Sequence, residues 1–421
     1  MPDRTFDDHS PPWAVRLFNR LVRQLKRFGL GLNGMTEESI LATARRRTGL
    51  TEFRDEAFRV PLGVLIQSFR DDARLHPFGR MMMRRRLVAF ACNRLRIDND
   101  LRRHPEILDE PIRRPLFVTG LPRTGTTLLH NLLSLDPASR PLLTWEAFWP
   151  SPPPHPSAGQ TDSRVKRARA LVNLMYWLAP QFRIIHALDP DGPDECVSLT
   201  FNTFVSQAFS MMANLTRYEA WLTELAFDQW VVAYRYYKTQ LQLLQWQRRA
   251  EHWILKSPMH LPALDALLAV FPDACIVQTH RDPIKAVPSL CSLAATVHAI
   301  VTDELNLSEI GLRIAQTWAE ATRRADDVRD TSPEHFLDVH YDDLIGDPIA
   351  TVHRIYEHFG YGRSERMDSA MRDWLARDAS QKRASHRYDL AQFGLDPPTI
   401  TRLFSGYYER HRIACESVGV G

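Results

Sequence analysis

Between residues 113 and 135 the chain passes from a short apolar run to a glycine loop to a helix-like segment, and this order constrains the fold more than any other feature. In RRPLFVTG (113–120), Leu116, Phe117 and Val118 run straight into Gly120. A continuous apolar run that ends at a glycine reads as a buried parallel strand before a turn. TTLLHNLLSL (126–135) then carries apolar residues at helical spacing. The loop between them, Gly120-Leu121-Pro122-Arg123-Thr124-Gly125-Thr126-Thr127, has glycines that let backbone N–H groups converge on an anion. The following helix N-terminus adds partial positive charge there.

The nucleotide-hydrolase loop G-x-x-x-x-G-K-[ST] has both of these glycines. Its lysine is missing here. Thr126 takes that place, and the cation sits inside the loop as Arg123. No apolar strand ends cleanly in an Asp suited to magnesium. A P-loop kinase or NTPase using Mg-ATP is therefore an alternative and not the first reading. Further along, HWILK (252–256), DACIVQTH (273–280) and HFLDVHY (335–341) read as strands. Helical segments follow them at 260–271, 284–295 and 348–359, and a closing helix is expected over 396–412. Strands alternating with helices predict an α/β fold, a P-loop-like parallel sheet flanked by helices. The stretch 141–250 reads as a helical insert.

Residues 1–112 read as a helical N-terminal extension and 413–421 as a tail. The first 110 residues carry 21 Lys and Arg against 15 Asp and Glu, whereas the whole chain has a net charge of only +3. That balance is too small for a dedicated nucleic-acid binder. In WAVRLFNRLVRQLKRFGL, residues 13–28 place Trp13, Leu17, Leu21, Leu25 and Phe28 on one face, with Arg16, Arg20, Arg23 and Arg27 toward the other. Such a helix suits peripheral contact with an anionic membrane surface, docking on its own domain, or a second copy of the chain in a homo-oligomer. Five widely spaced cysteines, Cys92, Cys196, Cys275, Cys291 and Cys415, read as reduced thiols. With no secretory leader and no apolar run of spanning length, the expectation is a cytoplasmic protein, peripheral on the inner membrane surface if the basic helix docks there.

VTGLPRTGTTLLHNLL (118–133) resembles the 5′-phosphosulfate loop of sulfotransferases that use 3′-phosphoadenosine-5′-phosphosulfate (PAPS). ACIVQTHRDPIKAVPSL (274–290) is similar to the 3′-phosphate site of that family, a strand followed by Arg-Asp-Pro and a Ser eight residues after the Arg. The resemblance covers roughly residues 113–412. It is nearest to the branch with R-[ST]-G-T-T loops, bacterial-type and remotely like tyrosylprotein sulfotransferases. It implies a PAPS-dependent O-sulfotransferase, with Arg123, Thr124, Gly125, Thr126, Thr127, Leu128, Arg281 and Ser289 binding the donor. The second anion site makes physical sense, because the donor differs from ATP by a 3′-phosphate, and a guanidinium grips it as a fixed fork. Sulfate carries less charge than phosphate, so no metal is expected.

The resemblance also implies in-line transfer of the sulfuryl group to a hydroxyl, with a general base on the acceptor side. Glu146, in LLTWEAF, is the first choice for the base. His186, the pair Asp194–Glu195 and His130 are competitors. Lys256, at a strand end before Ser257-Pro258, corresponds to the Lys-x-Pro of the family and would stabilise the bridging oxygen together with Arg123. His386-Arg387-Tyr388 and Phe393-Gly394-Leu395 could form a lid. The aromatics of the insert (Trp145, Trp149, Trp177, Trp221, Trp230, Tyr234, Tyr236, Tyr237, Trp246) read mostly as core. Any that line a cleft would suit a small apolar, aryl or glycosidic acceptor. A non-catalytic nucleotide-binding, membrane-associated module is the remaining alternative.

Overall fold

The computed structural model describes residues 12–27, 34–154, 162–185, 187–380 and 389–414. Five strands form one parallel sheet in the order β2-β3-β1-β4-β5. They are β1 (Leu116–Gly120), β2 (Ser139–Pro141), β3 (His252–Lys256), β4 (Cys275–His280) and β5 (Phe336–His340). Every residue of β1, β3 and β4 is buried, which is why these strands read as unbroken runs. The pleat sends successive side chains to opposite faces. Leu116, Val118, Ile254 and Val277 therefore join one hydrophobic cluster, and Phe117, Leu255 and Ile276 another.

Four helices precede the sheet: α1 (Trp13–Arg27), α2 (Glu37–Thr48), α3 (Arg59–Asp71) and α4 (Pro77–Arg103). α4 begins on a proline that needs no N–H partner, and His76 Nδ1 caps it by accepting from the Gly79 N–H at 2.9 Å. After the glycine loop comes α5 (Thr126–Leu133). The insert between β2 and β3 holds α6 (Thr144–Phe148), α7 (Ser163–Leu178), α8 (Phe182–Ile185), α9 (Val197–Thr200), α10 (Thr216–Thr223) and α11 (Phe227–Gln245). Beyond β3 come α12 (Leu264–Val270), α13 (Pro283–His298), α14 (Leu307–Thr331), α15 (Tyr341–Gly346), α16 (Pro348–Phe359), α17 (Glu365–Ser380), α18 (Pro397–Leu403) and α19 (Ser405–His411). α5 and α16 cover the Leu116 face of the sheet.

Two local expectations are refined. The helix expected over 260–271 is a 3₁₀ turn, Pro258–Ala263, followed by α12, because Pro262 supplies no N–H to an α-helical ladder. The closing helix is two helices, α18 and α19, which meet at Phe404. Strand β2 has no apolar run at all. It is the three-residue edge Ser-Arg-Pro, paired on one side only. Among the described residues no helix is long and apolar enough to cross a membrane.

Candidate active site

The glycine loop joins β1 to α5 at the carboxyl end of the sheet, where open parallel sheets bind ligands. Its curl needs left-handed backbone at Gly120 (φ +133°), Arg123 (φ +74°) and Gly125 (φ +87°). A Cβ on Gly120 would lie 2.3 Å from the Thr279 carbonyl oxygen, so only glycine lets β1 and β4 close there. Arg123 is not glycine and holds a conformation costing on the order of 1–3 kcal/mol, a strain that collects at functional sites. The buried Thr124 pins the loop from beneath: its hydroxyl donates to the Leu121 carbonyl at 2.7 Å and bonds the Thr279 hydroxyl.

Neighbouring strand ends add the other groups. Arg281 directly follows β4, and its Nη1 donates to the Arg123 carbonyl at 3.4 Å. Its guanidinium also lies 3.9 Å from the ring centre of Tyr341, the first residue after β5. Ser289, on α13, accepts from Arg123 Nε at 3.0 Å. The two residues expected at the 3′-phosphate are thus both linked to the loop through Arg123. Lys256 ends β3, is buried, and its Nζ donates to Glu195 Oε1 at 2.5 Å. Burial pushes the neighbouring Asp194 carboxyl up to about 6.

A cavity of about 1090 Å³ opens beside these groups. Arg123, Gly125, Thr126, Thr127, Leu128, Arg281, Tyr341, Asp194 and Glu195 all line it. The rest of the wall is largely apolar: Met81, Met82 and Phe90 of α4, Leu174 and Met175 of α7, and Leu290 and Leu293 of α13. Of the insert aromatics, Trp149 and Trp177 line the cavity, whereas Trp145, Trp230, Tyr234 and Tyr237 are buried in the core.

Glu146 stands elsewhere. It is buried, and its Oε1 accepts from Arg140 Nη2 at 2.9 Å and Arg248 Nη1 at 3.3 Å. Its Oε2 accepts from the Leu143 N–H at 3.4 Å, at the start of α6. It is not among the residues lining the cavity. The physical reason is the insert: β2 and the residues after α11 bring two guanidiniums onto this carboxylate. His130 is buried too, and burial, then the Lys256 charge, lowers it to about 3, so it is a neutral core histidine. His186 and His386-Arg387-Tyr388 lie outside the described residues, as does Phe28. Phe393 is buried against Gly311 of α14, which makes it a core contact and not a lid.

Sequence reasoning passed over Tyr341, which carries no motif, and the cavity face of α4. That face had a signal, since Phe78, Met82, Arg86, Phe90 and Asn93 recur at helical spacing. Among the described residues one group brings metal-ligand types within 4.8 Å of one another: His280, Asp338 and His411. Hydrogen bonds already engage these donors. His280 Nε2 meets Asp338 Oδ1 at 2.7 Å, Arg329 donates to Asp338 Oδ2 at 2.6 Å, and His411 Nε2 meets Asp326 at 2.9 Å. The His280 and His411 rings stack at 4.1 Å, so their edges do not converge on an ion. This cluster is a clamp tying α19 to the end of β4, one residue before Arg281.

Comparison with known proteins agrees with this geometry. The family described as "Sulfotransferase family" matches residues 115–365. The chain is 28% identical over 312 residues to the omega-hydroxy-beta-dihydromenaquinone-9 sulfotransferase Stf3 of Mycobacterium bovis and of Mycobacterium tuberculosis, covering 70% of this chain and 76% of theirs. The structure is similar to sulfotransferase STF9 from Mycobacterium avium, with a TM-score of 0.84 and 30% identity over 91% of this chain and 99% of that one. It is also similar to sulfotransferase STF1 from Mycobacterium tuberculosis H37Rv, with a TM-score of 0.79 and 33% identity over 88% of this chain and 98% of that one.

Proposed function

The chain belongs to the sulfotransferase family, and from that premise we propose that it moves the sulfuryl group of PAPS to a hydroxyl on an apolar acceptor held in the large cavity. The observation that carries this reading is the convergence on one cavity of the loop around Arg123, of Glu195, which Lys256 holds from behind, and of Arg281. The loop N–H groups and the α5 N-terminus take the 5′-phosphosulfate, and Arg281 with Ser289 takes the 3′-phosphate. The chemistry of this set fits the donor: two cationic anion sites flank the loop, and Thr126 leaves no Walker lysine for Mg-ATP.

Glu195 serves as the general base in this reading, in place of Glu146. The acceptor hydroxyl gives its proton to the Glu195 carboxylate, and the oxygen forms a bond to sulfur. The bond from sulfur to the phosphate oxygen breaks, and adenosine 3′,5′-bisphosphate leaves with the electron pair. Lys256, released from Glu195, and Arg123 meet the charge developing on that oxygen, where fixed cations act most strongly.

The acceptor class follows from the wall. Methionine and aliphatic side chains adapt to an apolar body, and the named substrate of Stf3 is an omega-hydroxylated dihydromenaquinone. Helix α1 suits the same supply. Val15 and Asn19 are buried against the fold, and Asn19 Oδ1 accepts from the Phe78 N–H at 2.8 Å. Trp13, Leu17, Leu21 and Leu25 stay 46–69% exposed in one row. Phe78 itself lines the cavity. A helix that presents an apolar row beside arginines binds anionic bilayers, and this one would do so next to the acceptor site.

Calorimetric titration with adenosine 3′,5′-bisphosphate, without metal, tests the donor site. Wild type binds, and Arg281→Ala loses about tenfold or more in affinity, roughly 1.4 kcal/mol. No binding by wild type, or binding only of Mg-ATP, would overturn the reading.

A further inference from the structure

The most deeply buried arginines among the described residues pair with carboxylates, and Arg86 of the cavity wall does not. Arg94 pairs with Asp55 at 3.1 Å, Arg140 with Glu146 at 2.9 Å, Arg164 with Asp162 at 2.7 Å, Arg329 with Asp338 at 2.6 Å, and Arg313 with Glu219. This is the expected pattern, because a guanidinium removed from water needs a carboxylate to offset its lost hydration. Arg86 is half-buried on the cavity face of α4 and has no carboxylate within ion-pair distance among the described residues. Among the described residues its one polar contact is from Nη1 to the Met212 sulfur at 3.6 Å. Burial alone lowers its pKa, with no carboxylate acting in the other direction. Its place in the stripe Met82, Arg86, Phe90 turns it into the cavity, among methionines.

We propose that Arg86 is an acceptor-binding residue that receives an anionic group, a carboxylate or phosphate, carried by the acceptor in addition to its hydroxyl. The inference rests on the reading of the cavity as the acceptor site and deepens it. Glu195 meets the hydroxyl, the methionine and leucine wall takes the apolar body, and Arg86 supplies a half-buried charge on the α4 wall with no counter-ion among the described residues. Arg47 and Arg85 also line the cavity but are exposed, where water stabilises them without a partner. A ligand anion that reaches Arg86 gains a charge-assisted, bidentate contact away from bulk water. An uncharged ligand of the same length leaves the guanidinium as it is.

The test compares hexadecanoate with hexadecanol as probes, by calorimetry on the full chain saturated with adenosine 3′,5′-bisphosphate. Wild type is expected to favour the carboxylate by about tenfold or more. Arg86→Gln and Arg86→Met should both erase that preference while holding hexadecanol and adenosine 3′,5′-bisphosphate affinities within about twofold of wild type. Arg86→Met guards against a folding defect from an unpaired amide, since it matches the neighbouring methionines. The inference is overturned if wild type binds neither probe or shows no preference. It is overturned if the preference survives both variants, or disappears only in Arg47→Gln/Arg85→Gln. A loss of adenosine 3′,5′-bisphosphate binding in the Arg86 variants would assign this arginine to the donor and overturn it as well. Failure of wild type to bind that nucleotide at all would sink the sulfotransferase chemistry of the site instead, and the carboxylate preference, read in the absence of nucleotide, would still decide the role of Arg86.

Discussion

Glu146 and Glu195 compete for the role of base, and the fold gives them different surroundings. Glu146 follows the glycine loop closely and looked like the base on that account. Glu195 meets Lys256 from 61 residues away, a separation that no local spacing encodes. The loop residues, Lys256, Arg281 and Ser289 were legible because each sits within a few residues of a strand end, so the motif carries its own geometry. Glu195 was legible only as one of several acidic candidates, since the insert that delivers it has no such marker. The two carboxylates separate by experiment. Glu195→Gln should lower kcat by about 10²-fold or more while leaving nucleotide affinity unchanged, as expected when a general base is lost. Glu146→Gln should leave kcat per folded molecule near wild type but cost roughly 3–5 kcal/mol of stability, because it strands the buried Arg140 guanidinium. Single-turnover rates and urea melts on both variants provide the check, and a slow but fully stable Glu146→Gln would return the base to that residue.

Among the elements, those that bury both faces were the easiest to read. β1, β3 and β4 are unbroken apolar runs because helices cover the sheet on each side. β2 escaped notice because an edge strand of three residues needs neither length nor apolarity. Helix α1 was legible as amphipathic, but its two faces have different fates. The side with Val15 and Asn19 docks on the start of α4, and Arg23 pairs with Asp303. The row Trp13, Leu17, Leu21, Leu25 remains in solvent. If that row enters a bilayer, Leu17→Glu/Leu21→Glu should reduce cosedimentation with anionic phosphatidylserine vesicles by about tenfold or more, each charge opposing both the apolar and the electrostatic terms. The wild-type interaction should weaken as salt is raised. Melting temperature should stay unchanged, because both positions are already exposed. Equal sedimentation of variant and wild type would leave α1 as a docking element of the fold alone.

At the scale of the whole molecule, residues on both sides of the expected division at residue 112 pack together. One hydrophobic core runs from Met35 and Leu41 of the N-terminal helices through Phe204 and Tyr218 of the insert to Phe404 and Tyr407. The N-terminal helices share this core and build a wall of the cavity, so the stability of the site is that of the molecule. His298 gives a way to measure that coupling. It lies at the end of α13, is buried, and its Nε2 meets the Ser210 carbonyl of the insert at 3.0 Å. Burial, then the Arg313 charge, lowers it to about 3, although the Ser210 contact raises it. The unfolded chain, with a histidine pKa of about 6.5, therefore binds a proton that the folded chain refuses between these two values. Stability falls as pH falls through that window, at about 1.4 kcal/mol per pH unit for this one group. Asp194, raised to about 6, acts in the opposite direction over part of the window, so the wild-type profile alone does not isolate the histidine. The difference from His298→Gln does, because the amide can still donate to Ser210 and does not titrate. The variant should be less stable than wild type at pH 7.5 by about 1 kcal/mol, from imperfect packing and a changed hydrogen bond. Between pH 6.5 and 4.5 wild type should lose about 2 kcal/mol more than the variant. Urea denaturation at several pH values reads the gap directly. A gap that stays constant across that range would mean that His298 is protonated in the folded chain, and that the joint between α13 and the insert admits water.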